Sequence, residues 1–289
     1  MRVRSYVPWM YLAPALAILG FFLLYPTVTT VVLSFYGARG DQFVGLANYV
    51  RAFSSPEMIT AYRNNLLWLI VFTLFTVSLG LVLAVLTDRV RYERLVKTAV
   101  FLPMAVSFVG AGVIWKFMYA WRPPFAGQIG LLNAIIVALG GQPVGWLIAR
   151  PWINNLALIA VGIWIWTGFC TVVLSAAYKG IPKELLEAAR IDGANEWYVF
   201  LRVILPLMAP TIAVVTITMV ISVLKVFDIV YVMTNGFFDT EVIANRMYKE
   251  MFHFRNFGMA ATLAVVLFMA ILPFMVANVR RFRAQEERR

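Results

Sequence analysis

Charge is what this sequence most lacks. Asp, Glu, Lys and Arg make up 13% of its 289 residues, where soluble domains hold about a quarter. Hydrophobic residues make up 62% and mean hydropathy is +0.81, more apolar surface than a water-soluble fold can hide. A single cysteine, Cys170, excludes an internal disulfide, and its place within an apolar run suits a small packing residue. The single histidine, His253, falls in an outer loop, where it reads as a solvated surface residue, and it leaves no Cys/His cluster for a metal. Neither G-x-x-x-x-G-K-[ST] nor G-x-G-x-x-G occurs, so no loop of this chain cradles a nucleotide's phosphates. Enzyme readings fail for lack of ligands, and any driving energy must come from elsewhere.

What is present is a series of uncharged runs: residues 5–38, 64–87, 98–115, 151–178, 203–224 and 256–279. Each reaches the roughly 18–20 residues a helix needs to cross a bilayer. They predict an all-α integral membrane fold with six transmembrane helices, at about 9–35, 65–87, 98–120, 152–177, 207–229 and 257–279, in one domain over residues 1–289. The first run follows Arg2 and Arg4 as a signal peptide would. It exceeds the roughly 7–15 residues of a signal core and no A-x-A-like site follows, so it reads as a retained anchor. Residues 131–139 are also apolar but are bracketed by Gly130 and by Gly140, Gly141 and Pro143. They are too short to cross and read as an outer loop with a short interfacial helix.

Basic residues set the orientation. With both termini cytoplasmic, the inner segments (1–8, 88–98, 179–206, 280–289) hold about twice as many Lys and Arg as the outer ones in about two-thirds of the length. The net charge of +11 then serves membrane orientation and anionic lipid, and no nucleic-acid surface is called for.

The inner segment 179–206 carries the most local signals. Pro182 suits a first helical turn, Glu184 and Glu187 complement its positive end, and Gly193 supplies a left-handed stop. Trp197, Phe200, Leu201 and Ile204 then form an apolar stripe of a second short helix that ends at Pro206.

Glu187-Ala188-Ala189, then Asp192-Gly193-Ala194, then Phe200 and Leu205-Pro206 resemble the EAA loop of binding-protein-dependent ABC importer permeases. The resemblance implies the ABC importer type I permease fold and a coupling helix over 187–193 that docks on an ATPase subunit. Further stretches resemble the carbohydrate-type permeases, among them FVGLANY from Phe43, YKGIPKEL from Tyr178 and FDIVYVMTNG from Phe227. They are similar to the first membrane subunit of maltose, glycerol-phosphate and α-glucoside systems, with 240–258 most like the α-glucoside branch. Phe237 and Phe238 depart from the Gly-Pro common there, and the loop 121–130 is longer than usual. The implied setting is the bacterial plasma (inner) membrane. The implied partners are a second homologous permease in a heterodimer, two ATPase subunits that use ATP and Mg, and an extracytoplasmic substrate-binding protein. This chain itself would bind no cofactor.

Polar groups within spans are costly and default to function. Thr211, Thr218, Ser222 and Lys225 share one face of the fifth span and are candidates for a hydrophilic path, unless the hydroxyls bond their own backbone. Lys225 and Asp228 are spaced to pair, or Lys225 snorkels to the interface. Sugar sites set rings against apolar sugar faces. Spans three and four offer Ser107, Phe108, Trp115, Trp164, Trp166, Thr167 and Phe169. The maltose-type resemblance implies Met104, Phe108, Trp166 and the Ser222 region as substrate path. Two rivals stand beside a sugar importer: the same machine for a non-sugar solute such as glycerol 3-phosphate, and an ion-coupled secondary transporter. The latter calls for a midplane acid, broken helices or internal repeats. No repeat is evident, and Asp228 sits at the end of its span.

Overall fold

A computed structural model describes residues 7–88, 90–149 and 152–286, and among these every regular element is helical apart from an isolated bridge between Tyr36 and Phe43. Five helices are long and apolar enough to cross a membrane: Trp9–Leu33, Pro56–Asp88, Ile153–Lys179, Glu196–Leu224 and Phe257–Arg280. A pair of helices bent by 100°, Glu93–Ala105 and Phe108–Met118, meets the same test only when taken together, and we count it as one broken span. We number the six in chain order, the broken one being third. By packing, the chain divides into two compact units, Met1–Ile59 with Arg246–Met269, and Thr60–Asn245 with Ala270–Arg289.

In the first unit, the first span exposes its side chains along almost its whole length, as a helix does that faces lipid or another protein. Asn48 Nδ2 donates to the carbonyls of Ser34 (3.0 Å) and Tyr36 (2.7 Å), and Thr262 Oγ1 to that of Ser34 (3.1 Å). Only glycine fits at position 258, because a Cβ there would lie 1.9 Å from the Tyr36 carbonyl oxygen.

The fourth span is the hub of the second unit, packing against the second, third and fifth. Small residues permit the approach. A Cβ on Gly80 would lie 2.4 Å from that of Cys170, and one on Gly168 would lie 2.4 Å from the Val100 carbonyl oxygen. Cys170 is therefore a buried packing residue of the second-to-fourth contact. Residues Leu131–Ala138 form an eight-residue helix, too short to cross.

Two spans depart from the sequence expectation. The third is not one helix over 98–120. Pro103 lies in a 3-10 turn, Leu102–Ala105; Val106 is extended, and Ser107 then caps a new helix by accepting the Gly110 N–H at 3.1 Å. A proline followed by an N-cap ends one helix and starts another even inside an apolar run. The fifth does the reverse, because the helix begun at Glu196 does not stop at Pro206. Phe200–Ile204 form a π turn in which the Leu205 N–H bonds the Phe200 carbonyl. Widening the turn ahead of Pro206 relieves the clash of its ring with the preceding turn. This helix ends instead at Leu224, residues 225–227 are non-helical, and a short helix Asp228–Met233 follows.

Candidate functional site

Both unexpected breaks open on one cavity. Of about 220 Å³, it is lined by Trp68 and Phe72 of the second span, Phe108 just after the third-span bend, Trp166 of the fourth, and Ser222, Lys225 and Asp228 around the fifth-span break. Irregular backbone within a membrane is tolerated where it lines such a space. The Phe108 and Trp166 rings stack with centroids 6.0 Å apart and planes at 30°, and Phe169 meets Trp166 edge-on at 5.8 Å. Gly162 supplies the floor: a Cβ there would lie 3.1 Å from the Trp68 ring and 3.2 Å from that of Phe72, so both rings rest on bare backbone. Behind the break, Gly112 lets Val232 approach the third span, and Lys116 Nζ donates to the Val232 carbonyl at 3.4 Å.

Lys225 is exposed and Asp228 half-buried, and the two form no ion pair with each other among the described residues. The cavity therefore joins aromatic walls to one ammonium, one carboxylate and the Ser222 hydroxyl. Such a lining stacks on the apolar face of a polyhydroxylated ring while its polar groups meet hydroxyls at the rim.

Of the predicted path residues, the structure brings Phe108, Trp166, Ser222 and Lys225 together. The others lie elsewhere. The Thr167 hydroxyl donates to the Ile163 carbonyl (2.6 Å) and faces a separate groove beside Pro103, while Thr218 donates to Val214 (2.9 Å). Ser222 itself donates to the Thr218 carbonyl (2.9 Å), so the hydroxyl row of the fifth span largely serves its own backbone. Thr211 and Met104 are half-buried and Ser107 is the exposed cap, none of them lining the cavity. Sequence reasoning missed Trp68, Phe72 and Gly162, and weighed Asp228 as a partner of Lys225 and as an acid at a span end, not as part of the path. The one signal was an i, i+4 aromatic pair within a span, which is usually core packing.

The segment that carries the Glu187-Ala188-Ala189 run is built from the Lys183–Ile191 helix, which buries Leu186 and exposes Glu187 and Ala188, with Ala189 half-buried. Gly193 has φ +85°, and the Ala194 N–H closes the helix end on the Ala189 carbonyl at 3.0 Å. Asn195 then caps the fifth span by accepting the Tyr198 N–H at 2.8 Å. Ala189, Asp192, Gly193 and Tyr198 line an open hollow, flanked by the exposed apolar side chains of Ile191 and Trp197. Glu196 lies 2.7 Å from Arg190 and holds its guanidinium pKa above the ordinary value.

Residues 78–284 match the family described as the binding-protein-dependent transport system inner membrane component. The chain is 59% identical over 280 residues, 97% of this chain and 100% of the relative, to the osmoprotective compounds uptake permease protein GgtC of Synechocystis. It is 50% identical over 278 residues, 96% of this chain and 82% of the relative, to the alpha-glucoside transport system permease protein AglF of Rhizobium meliloti. Among solved structures, a chain of a bacterial ABC transporter that imports the acidic polysaccharide alginate superposes with TM-score 0.82 at 25% identity, covering 97% of this chain and 96% of that one. Broken helices, which the sequence reading reserved for a secondary transporter, are thus present here in a chain whose fold is similar to that of an ABC transporter subunit. This chain belongs to the binding-protein-dependent transport system inner membrane component family: it is a multi-pass inner-membrane permease subunit of an ABC importer, and ATP hydrolysis resides in a separate ATPase subunit.

Proposed function

We propose that this subunit passes a small neutral glycoside, an α-glucoside or a chemically related osmoprotective compound, through the cavity at the two helix breaks. The observation that carries this reading is the stacked Phe108–Trp166 pair facing the Lys225 and Asp228 side chains across a cavity of about 220 Å³. That volume is below the roughly 300 Å³ at which drug-sized sites begin, which suits one sugar ring at a time. A single ammonium beside a carboxylate is a poor cradle for a phosphate dianion, which disfavours glycerol 3-phosphate. The names of GgtC and AglF agree with a glucoside or osmoprotectant cargo.

Both termini and the segment 179–206 lie on the cytoplasmic side in this reading. Glu187, Ala188, Ala189, Asp192 and Gly193 dock on the ATPase, with the small alanines permitting close approach and Glu187 pairing with a basic side chain there. The exposed first span faces lipid and a second permease in a heterodimer, two ATPases complete the inner side, and a binding protein delivers substrate from outside. Closure of the ATPases on ATP and Mg shifts the population toward an outward-open path.

The test is uptake of labelled α-glucosides by the complete importer in proteoliposomes. Trp166→Ala is expected to lower uptake at least about tenfold, with subunit assembly intact, through loss of a stacking wall. Wild-type uptake by that variant refutes the cavity as the path. Separately, Glu187→Arg is expected to abolish co-purification of the ATPase, and retention of the ATPase refutes the docking surface.

A further inference from the structure

Three spans meet in a charged cluster at the end of the bundle next to the docking helix. Asp88 closes the second span, Glu93 opens the third with Lys97 one turn inside it, and Ser175 and Lys179 occupy the last turns of the fourth. Lys179 Nζ lies 2.6 Å from Glu93 Oε1 and 3.5 Å from Asp88 Oδ1. The same Glu93 oxygen meets Lys97, whose ammonium also donates to the Ser175 hydroxyl. Glu93 therefore bridges both ammonium groups, and the Lys97 side chain is only 18% exposed.

An isolated exposed ion pair contributes little to stability, and a lone charge at the end of a membrane span needs no partner, because it snorkels to the interface. A four-charge network with a shared carboxylate and a serine anchor calls for another purpose. Its position supplies one. Lys179 is the last residue of the fourth span, and only Gly180, Ile181 and Pro182 separate it from the docking helix Lys183–Ile191. A cleft of about 530 Å³ lies between Asp88 and Lys179 on one side and Lys183, Glu187 and Arg190 on the other. The docking helix is thus joined to the bundle through a three-residue tether, the buried Leu186 and Ile181 side chains, and this end of the fourth span.

We propose that Asp88, Glu93, Lys97 and Lys179 form a coupling clamp. It makes the ends of spans two, three and four answer the docking helix as one body, and none of its members touches substrate. The consequence reaches the cavity, because Glu93–Ala105 is the half-helix whose bend places Phe108. A pull on Lys179 is delivered through Glu93 to that half-helix, while without the clamp the fourth span moves alone. These are positioning residues, and the inference rests on the docking reading of residues 187–193.

The experiment measures uptake and ATP hydrolysis together in the complete reconstituted importer, scored only where the ATPase co-purifies. Glu93→Gln, which removes the shared carboxylate, is expected to leave ATP hydrolysis within about twofold of wild type while uptake per ATP falls at least about tenfold. Glu93→Asp, which keeps the charge on a shorter arm, is expected to recover part of the loss. Lys179→Gln, at a half-exposed position, is the second variant should Glu93→Gln fail to assemble. Wild-type uptake per ATP in the assembled variants overturns the clamp, as does a proportional fall of uptake and hydrolysis, which is the mark of general damage. Failure of the docking reading shows itself differently, as ATPase retained by Glu187→Arg.

Discussion

The two ends of the second and fourth spans grip their surroundings with different chemistry. At one end, asparagine pairs hold a loop by neutral amides. Asn64 Nδ2, fully buried, donates to the carbonyls of Asp239 (2.7 Å) and Glu241 (2.8 Å), Asn155 to Asp239 (3.2 Å), and Asn154 to Phe238. Asn65 Oδ1 accepts the Ile243 N–H at 2.9 Å. The loop held this way is strained, with Asn235, Phe238 and Asp239 all at positive φ. At the other end the grip is the Asp88, Glu93, Lys97 and Lys179 cluster, with side chains 18–49% exposed. Buried amide bonds are short-range and insensitive to salt, whereas partly exposed charges are screened and exchange partners readily. By that chemistry the amide end suits a fixed joint, and the charged end suits the moving joint of the proposed clamp.

Substitutions that remove each grip test the contrast. The largest loss of stability is expected from Asn64→Ala, which removes the hydrogen bonds to the Asp239 and Glu241 carbonyls at a cost of about 1–3 kcal/mol. It is read as a lowered thermal midpoint in detergent at both low and high salt; a shift that vanishes in high salt contradicts a neutral grip. Next is Gly193→Ala, at φ +85° in open space, where the cost is backbone strain of about 1 kcal/mol. Lys179→Met is expected to leave the midpoint close to wild type while lowering uptake per ATP. A midpoint shift as large as that of Asn64→Ala makes the charged end a structural staple instead. The smallest effect is expected from Arg190→Gln, whose exposed pair with Glu196 should contribute nothing measurable at 1 M salt, where screening acts over about 3 Å.

Much of the architecture was legible in local chemistry. Uncharged runs identify spans because backbone and side chains must both be satisfied in hydrocarbon. Gly193 marks its turn because an L-residue resists that backbone, and the EAA resemblance rests on a contiguous run. The breaks were less legible. Pro103 and Ser107 were visible, yet the apolar run around them satisfies the length rule for one continuous helix. Conversely Pro206 looked like a stop, and a single widened turn carried the helix past it.

Composition and pattern by themselves determined that this is an all-helical membrane protein with a glycine turn at Gly193, because hydropathy and backbone preference act over a few neighbouring residues. Which side chains share the cavity was decided only by tertiary structure. Trp68, Phe108, Gly162 and Asp228 come from four distant stretches, and their meeting depends on where the third and fifth spans break and how closely small residues let the fourth approach its neighbours. Those are properties of packing between helices, which no single stretch of sequence encodes.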